Sequence, residues 1–178
     1  MLFSYESCNL GSINLPKFFK QENGKNSLDW SELERVIRIA ARFLDNVIEI
    51  NNYLFPEIKA IVQGNRKIGL GVMGWADLLT LLEIPYDSEE AIGLAGKLMQ
   101  FMQEMSFEAS VELARERGVF NNWEKSIYYP NRPVRNATRL SIAPTGSISI
   151  IAGASSSIEP LFALAFRHSH ILNNGNLV

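Results

Sequence analysis

Apolar residues recur at steps of three and four positions between Trp30 and Tyr53. This spacing places them on one face of a helix, because an α-helix completes a turn every 3.6 residues. The positions are Leu33, Val36, Ile37, Ala40, Phe43, Leu44, Val47 and Ile48. The pattern therefore predicts an amphipathic helix whose N-cap is Asp29 or Ser31.

A second helical pattern covers about eight turns and stops at Gly118. Its apolar positions are Ala91, Ala95, Leu98, Met102, Met105, Ala109 and Leu113. Asp87 or Ser88 is the expected N-cap, and Arg115 and Arg117 suit the negative end of the helix dipole. We interpret a helix of this length as scaffolding, with Met99 and Met102 as core residues rather than metal ligands.

The remaining pattern is shorter and richer in glycine. Residues 4–15 predict a short strand or extended segment, and residues 20–29, which contain Asn-Gly, predict a surface turn. The stretch "RKIGLGVMGWADLLTLLEI" predicts a strand or close-packed turn that leads into a helix from about Gly74 to Glu83. Near the end, "RLSIA" favours a strand that Pro144 terminates.

Composition narrows the class of protein. The chain has 178 residues with a net charge of -2, which supports one globular segment and gives no electrostatic reason to expect nucleic acid or an anionic membrane as partner. We find neither an apolar run of membrane-spanning length nor a signal-peptide pattern. Cys8 is the single cysteine, so no disulfide forms within the chain, and a reducing, cytoplasmic location is expected.

The stretch "APTGSIS" forms a small polar elbow between two apolar runs. A helix that begins there would direct unpaired N–H groups and a partial positive charge outward, an arrangement that binds phosphate. Gly146 would let a ligand approach the backbone closely, with hydroxyls at Thr145, Ser147 and Ser149 nearby. The alternative is that Thr145 and Ser147 simply cap a helix.

Other polar residues offer weaker candidates. Cys8 is either a buried small hydrophobic residue or a redox thiol whose partner lies outside this chain. We interpret His168 and His170 as surface residues, because no further histidine or cysteine cluster completes a metal site. Asp45 and Glu49, four residues apart on the first helix, are interpreted as a solvated face. No metal site is predicted.

Four motifs together resemble the large, catalytic chain of ribonucleotide reductases, and most of all the adenosylcobalamin-dependent class II form. The motifs are "ESCNLGSINL" (6–15), "RKIGLGVMGWADLL" (66–79), "IPYDSEEA" (84–91) and "RNATRLSIAPTGSISIIAGASSSIEPLFALAF" (135–166). They occur in the family's order over nearly the whole chain. Arg139 departs from the small or apolar residue that is usual at its position.

The resemblance implies an α/β fold: a helix-rich part of the family's ten-stranded α/β barrel, in which radical chemistry reduces ribonucleotides to 2'-deoxyribonucleotides. It implies that Cys8 is one of two thiols that reduce the substrate and become a disulfide. It also implies adenosylcobalamin as cofactor, a ribonucleoside di- or triphosphate as substrate, and a thioredoxin-like reductant. The residues matching the family's substrate-phosphate loop are Pro144, Thr145, Gly146, Ser147, Ile148 and Ser149.

Residues 1–178 are expected to form a single segment of the catalytic barrel domain, truncated at both ends and inactive alone. The family's radical-bearing cysteine and the partner of Cys8 have no counterpart here. A complementing chain or the rest of the reductase would have to supply them, and open strand edges favour self-association. Such a segment is a piece of a longer enzyme, part of a split enzyme or an inactive remnant. The alternatives are a non-catalytic helical binding or assembly module with this fold and, less favoured, a metal-dependent class I chain.

Overall fold

Helices and short strands alternate along the chain in the computed structural model, which describes residues 2–163 and the backbone of residues 172–173 and 176–177. The helices are α1 (Trp30–Ile50), α2 (Pro56–Asn65), α3 (Trp75–Leu82), α4 (Glu89–Arg117) and α5 (Gly146–Ala152). The strands are β1 (Asn9–Asn14), β2 (Phe19–Glu22), β3 (Lys25–Leu28), β4 (Ile68–Met73), β5 (Leu172–Asn173) and β6 (Asn176–Leu177). Two short 3-10 helices span Leu15–Phe18 and Trp123–Lys125.

Strand β4 lies between two parallel neighbours. It pairs with β1 along its whole length. On its other side, residues 138–141 run parallel to it: the N–H of Leu70 donates to the carbonyl oxygen of Arg139 at 2.8 Å, and the N–H of Ser141 donates to that of Leu70 at 3.1 Å. Three parallel segments thus stand in the order β1, β4, 138–141. Within the described part of the chain they do not close into a barrel.

The helices between these segments supply the crossovers that parallel strands require. Helix α1 contacts β1, β4 and α4. Alternate residues of β4 join the hydrophobic core, while Gly69 and Gly71 belong to the opposite face of the sheet. The core includes Leu33, Ile37, Leu44 and Ile48 of α1, Ile68, Leu70 and Val72 of β4, and Leu98, Met102 and Ala109 of α4. Met102 is fully buried, which confirms its interpretation as a core residue.

Both long helices begin where the sequence predicts. The side chain of Asp29 accepts a hydrogen bond from the N–H of Glu32 at 3.1 Å, and that of Ser88 accepts one from the N–H of Ala91 at 3.2 Å. Helix α4 ends before Gly118. The shorter prediction of a strand followed by a helix is also confirmed, because β4 leads through Gly74 into α3.

Two elements differ from the sequence prediction. Residues 56–65 form α2, which we did not predict because Pro56 and Gly64-Asn65 resemble loop punctuation; Pro56 instead occupies the first turn, where its missing N–H costs nothing. The predicted surface turn is the tip of a hairpin formed by β2 and β3. Asn23 and Gly24 have φ angles of 51° and 74°, as a tight two-residue hairpin turn requires.

Arg139 is buried beside β4, with only 4 % of its surface exposed. Its guanidinium carbon lies 5.1 Å from the ring centroid of Phe107 and 5.6 Å from that of Tyr128, within the range of cation–π attraction. Its Nη1 donates to the Tyr128 hydroxyl at 3.3 Å. Two aromatic rings therefore accommodate the arginine that departs from the family pattern.

Candidate functional site

The face of β4 that carries Gly69 and Gly71 brings Cys8 and Ser141 close together. A Cβ on Gly69 would lie 3.5 Å from Cys8 Sγ, on the β1 side, and 2.8 Å from Ser141 Cβ, on the other side. A Cβ on Gly71 would collide with the carbonyl oxygen of Ser141. The two glycines therefore allow residues 138–141 to pack directly on β4 and leave Cys8 and Ser141 facing each other across the strand.

Cys8 is a free, half-buried cysteine immediately before β1. Its thiol donates weakly to the carbonyl oxygen of Asn9 at 3.5 Å. Burial raises the pKa of the thiol above its ordinary value, and the negative charge of Glu6 raises it further, while the positive charges of Lys67 and of the amino terminus act in the opposite direction. Cys8 is therefore a neutral thiol at neutral pH.

The elbow leads into a helix as the sequence predicts, but the predicted strand before it is not a regular strand and has a single bridge, from Leu140 to Leu70. Residues 138–141 precede it, and α5 begins at Gly146. Thr145 is the N-cap residue, with φ at 56°, and its side chain makes no capping hydrogen bond. The first helical hydrogen bond runs from the N–H of Ser149 to the carbonyl oxygen of Thr145. The N–H groups of Gly146, Ser147 and Ile148 have no acceptor among the described residues and are available to a ligand.

The elbow residues divide into a buried and an exposed set. Thr145 Oγ1 accepts from the N–H of Ser157 at 2.7 Å, and Ser149 Oγ lies 3.1 Å from Ser156 Oγ. These two hydroxyls fold the loop back on itself. Pro144, Gly146, Ser147 and Ile148 are exposed. Apart from its chain neighbours and its own helix backbone, no described atom lies within 4 Å of a Cβ position on Gly146.

The chain after α5 fastens the elbow to the start of α3. The N–H of Gly74 donates to the carbonyl oxygen of Ser155 at 2.8 Å, and that of Trp75 donates to the carbonyl oxygen of Ser157 at 3.3 Å. In return, the N–H of Ser155 donates to Asp77 Oδ2 at 2.6 Å. Because α3 directly follows β4, these hydrogen bonds fix the position of the elbow relative to β4 and therefore relative to Cys8.

The interpretation of Asp45 as part of a solvated face is wrong. Its side chain is completely buried, and Arg66 reaches it at 2.8 Å. Arg117 lies 3.3 Å and Arg135 lies 3.6 Å from its Oδ2, and Asn136 Nδ2 donates to Oδ1 at 2.9 Å. Asp45 thus joins α1 to the residues that lead into β4 and into residues 138–141.

Glu49, one turn after Asp45, is half exposed and also forms ion pairs, so it is not simply a solvated residue. It lies 2.5 Å from Arg66 Nη1 and 3.1 Å from Arg135 Nη2. The partners were missed because a helical pattern shows neighbours at three and four residues, whereas Arg66 and Arg135 follow Glu49 by 17 and 86 residues.

Sequence reasoning also missed Glu6 and Lys67, the charged neighbours of Cys8. Nζ of Lys67 lies 2.7 Å from Glu6 Oε2, and both side chains are shielded from water. The sequence feature that could have indicated this pair is the lysine directly before the glycine-rich apolar stretch "IGLG". A charged side chain next to a buried strand requires a partner of opposite charge.

Metal-binding side chains do not cluster in the part of the chain that the structure describes. No group of three or more His, Cys, Asp or Glu side chains gathers there. His168 and His170, the two histidines of the sequence, lie outside the described residues. The described residues therefore include no imidazole that could bind cobalt. Nor does any helix among them have the length and apolar character needed to cross a membrane.

Comparison with known proteins gives a consistent result. The family model described as "Ribonucleotide reductase, barrel domain" matches residues 1–132 and 129–174. The chain is 51 % identical to the vitamin B12-dependent ribonucleoside-diphosphate reductase of Mycobacterium tuberculosis over 165 residues, covering 93 % of this chain and 23 % of that protein. It is also 51 % identical to the reductase of the same description from Thermoplasma acidophilum over 178 residues, covering 99 % and 23 %.

A solved structure is similar as well. The alpha subunit of the Actinobacillus ureae class Id ribonucleotide reductase superposes with a TM-score of 0.70 at 29 % identity, covering 86 % of this chain and 28 % of that chain. The chain thus spans about a quarter of the length of the proteins that it resembles.

Proposed function

The chain belongs to the ribonucleotide reductase barrel-domain family, and from this premise we propose that it is part of an oxidoreductase that converts ribonucleotides to 2'-deoxyribonucleotides. The observation that carries the proposal is the position of Cys8 on the glycine face of β4, in a sheet whose third segment leads directly into the elbow. The chain supplies a reducing thiol and the loop that holds the substrate.

Cys8 acts as one of two thiols that provide the reducing equivalents. In the net reaction the bond between C2' and its oxygen breaks, the oxygen leaves as water, and a hydrogen replaces it. Two thiol groups lose their hydrogens and join as a disulfide, so atoms and electrons balance. Because Cys8 is the single cysteine of the 178 residues, the second thiol belongs to another segment, and the isolated chain does not turn over.

The elbow binds the phosphates of the substrate. The N–H groups of Gly146, Ser147 and Ile148 have no acceptor among the described residues and lie at a helix N-terminus, where an anion is favoured. Pro144 and Ser147 are exposed beside them, while Thr145 and Ser149 hold the loop in shape. Fixing the phosphates orients the ribose towards the reacting thiols. The names of the mycobacterial and Thermoplasma relatives favour a ribonucleoside diphosphate over a triphosphate.

The three parallel segments form part of the ten-stranded α/β barrel, with residues 1–178 as one segment of it. The second edge of β1 has no partner strand among the described residues, so the remainder of the reductase, or a complementing chain, supplies its neighbour. Adenosylcobalamin is assigned to that assembled enzyme because the mycobacterial and Thermoplasma relatives are named vitamin B12-dependent reductases. A thioredoxin-like protein reduces the disulfide again, which places the chain in a reducing, cytoplasmic compartment.

The replacement Cys8→Ser tests this function in the chain combined with the remainder of the reductase. We expect multiple turnover with a dithiol reductant to fall to background, because serine cannot form a disulfide, while ribonucleotide affinity stays within about twofold. Ser7→Ala, at an exposed neighbouring position, is the control and keeps full turnover. Undiminished turnover by Cys8→Ser would remove Cys8 from the reaction.

A further inference from the structure

Glu6 and Lys67 form an ion pair beside Cys8 that is closed off from water. Nζ of Lys67 lies 2.7 Å from Glu6 Oε2, and the side chains are only 9 % and 0 % exposed for Lys67 and Glu6. Asn65 Nδ2 donates to the other carboxylate oxygen at 2.7 Å, and the N–H of Phe3 donates to Oε2 at 2.8 Å. A buried carboxylate is tolerated only when it is paired and hydrogen-bonded in this way.

Strand register places this pair next to the sulfur of Cys8. Asn9, the first residue of β1, lies opposite Ile68, the first residue of β4. Cys8 and Lys67, which precede them, are therefore neighbours at the start of the two strands. Lys67 and Gly69 are two positions apart and share a face of β4, and Cys8 Sγ is 3.5 Å from the Cβ position of Gly69. The thiol and the ion pair of Lys67 with Glu6 therefore lie on the same face of the sheet.

The two charges act on Cys8 in opposite directions. The groups whose charges affect the thiol are Glu6, Lys67 and the amino terminus. Burial tends to raise the pKa of Glu6, but the hydrogen bonds from Lys67, Phe3 and Asn65 outweigh it and lower that pKa below its ordinary value. Glu6 is therefore ionised at neutral pH, and its negative charge opposes the loss of a proton from Cys8.

We propose that the Glu6–Lys67 pair controls the protonation of Cys8, with Glu6 keeping the thiol neutral and Lys67 limiting that effect. The proposal rests on the role of Cys8 as a reducing thiol given above. A thiol that is to give up its hydrogen during substrate reduction must still carry it when the substrate arrives; burial of Cys8 favours this protonated form, and the negative charge of Glu6 reinforces it. Glu6 and Lys67 are positioning residues, because they act through Cys8 rather than on the substrate.

The pH dependence of Cys8 alkylation tests the pair in the full 178-residue chain. Iodoacetamide reacts with the thiolate, and Cys8 is the single cysteine, so the rate between pH 6 and 10.5 reports the ionisation of this thiol alone. Glu6→Gln removes the negative charge. We expect it to lower the apparent pKa of Cys8 by about one unit, which makes alkylation near pH 7 about tenfold faster.

Lys67→Met removes the opposing charge and is expected to raise the apparent pKa and slow alkylation. Glu32→Gln changes the net charge equally at an exposed ion pair with Arg35 and leaves the profile unchanged. A wild-type profile in Glu6→Gln, or a shift in the same direction in both variants, would overturn the proposal. If circular dichroism shows that one of the two variants does not fold, the other variant provides the test. An alkylation profile identical to that of the wild type in the folded variant would then refute the role of the ion pair.

This measurement is separate from turnover. If Cys8→Ser leaves turnover intact, the proposed function of Cys8 is wrong, but the alkylation profiles still report how Glu6 and Lys67 affect its ionisation. If Glu6→Gln leaves the profile unchanged, the electrostatic role of the pair fails while the part of Cys8 in substrate reduction stands.

Discussion

Asp45 shows how much one side chain contributes to this fold. Its carboxylate is fully buried and contacts Arg66, Arg117, Arg135 and Asn136. Nothing in the local sequence distinguished it from an exposed helical acid, because its partners come from segments that follow α1. Local patterns identify a face of a helix, but they do not show which long-range contacts cover it.

Removing the charge of Asp45 is expected to destabilise the chain strongly. Asp45→Asn leaves the buried guanidinium of Arg66 with only the half-exposed carboxylate of Glu49 among the described residues, and the loss of one partner from a buried ion pair costs about 3–5 kcal/mol. Urea unfolding monitored by circular dichroism measures the change. Asp87→Asn, at an exposed position, serves as control and should stay within about 0.5 kcal/mol of wild type. Equal stability of the two variants would contradict the structural role of Asp45.

At the scale of elements, strong periodicity and capping residues were sufficient to predict α1, α4 and the strand-to-helix unit of β4 and α3. Each of these elements buries a continuous apolar face, so the apolar positions that recur in the sequence are the ones that pack into the core. Helix α2 was missed because its apolar face is short, and the hairpin strands β2 and β3 because they are mostly polar. The stability of α2, β2 and β3 depends on contacts with distant parts of the chain, which the local sequence pattern does not show.

The elbow was located from sequence, but the use of its hydroxyls was not. Short polar residues in a turn suit both ligand binding and loop closure. The structure uses Thr145 and Ser149 for closure and leaves the N–H groups of α5 open. The family resemblance identified the segment, and the structure leaves the backbone around Gly146 and Ser147 as an exposed part of the elbow.

Gly146→Val tests the elbow in the assembled reductase. A branched side chain at the start of α5 would stand in front of the open N–H groups, and we expect ribonucleoside diphosphate affinity to fall about tenfold or more, or ~1.4 kcal/mol. No described atom lies near the added Cβ, so folding should be preserved. Gly96→Val, on the open side of α4, is the control and keeps wild-type affinity in equilibrium dialysis. Equal affinity of both variants would refute the phosphate assignment.

At the scale of the whole molecule, the chain presents an open sheet edge together with exposed apolar side chains. Leu10 and Phe43 border the same groove between β1 and α1 and are 57 % and 63 % exposed. A strand edge next to apolar surface favours pairing with another chain. We expect the remainder of the reductase to cover this surface in the proposed enzyme and a second copy to cover it in the isolated chain.

Sedimentation velocity of the isolated chain should therefore show dimers or larger species at micromolar concentration. Phe43→Lys is expected to shift the chain towards monomer, because it places a charge in the groove. Ile127→Lys, at a loop residue that is 93 % exposed, should leave the association unchanged. A wild-type chain that stays monomeric throughout this range would contradict the expectation.

A reducing thiol at Cys8 becomes oxidised when a ribonucleotide is reduced, and a single turnover of the enzyme detects this oxidation. The prereduced, assembled enzyme is given ribonucleotide without external reductant, quenched with iodoacetamide and analysed by peptide mass spectrometry. We expect Cys8 to lose its reactivity in proportion to the deoxyribonucleotide formed and to be found in a disulfide with a cysteine from outside this chain. Full alkylation of Cys8 after product has formed would contradict it.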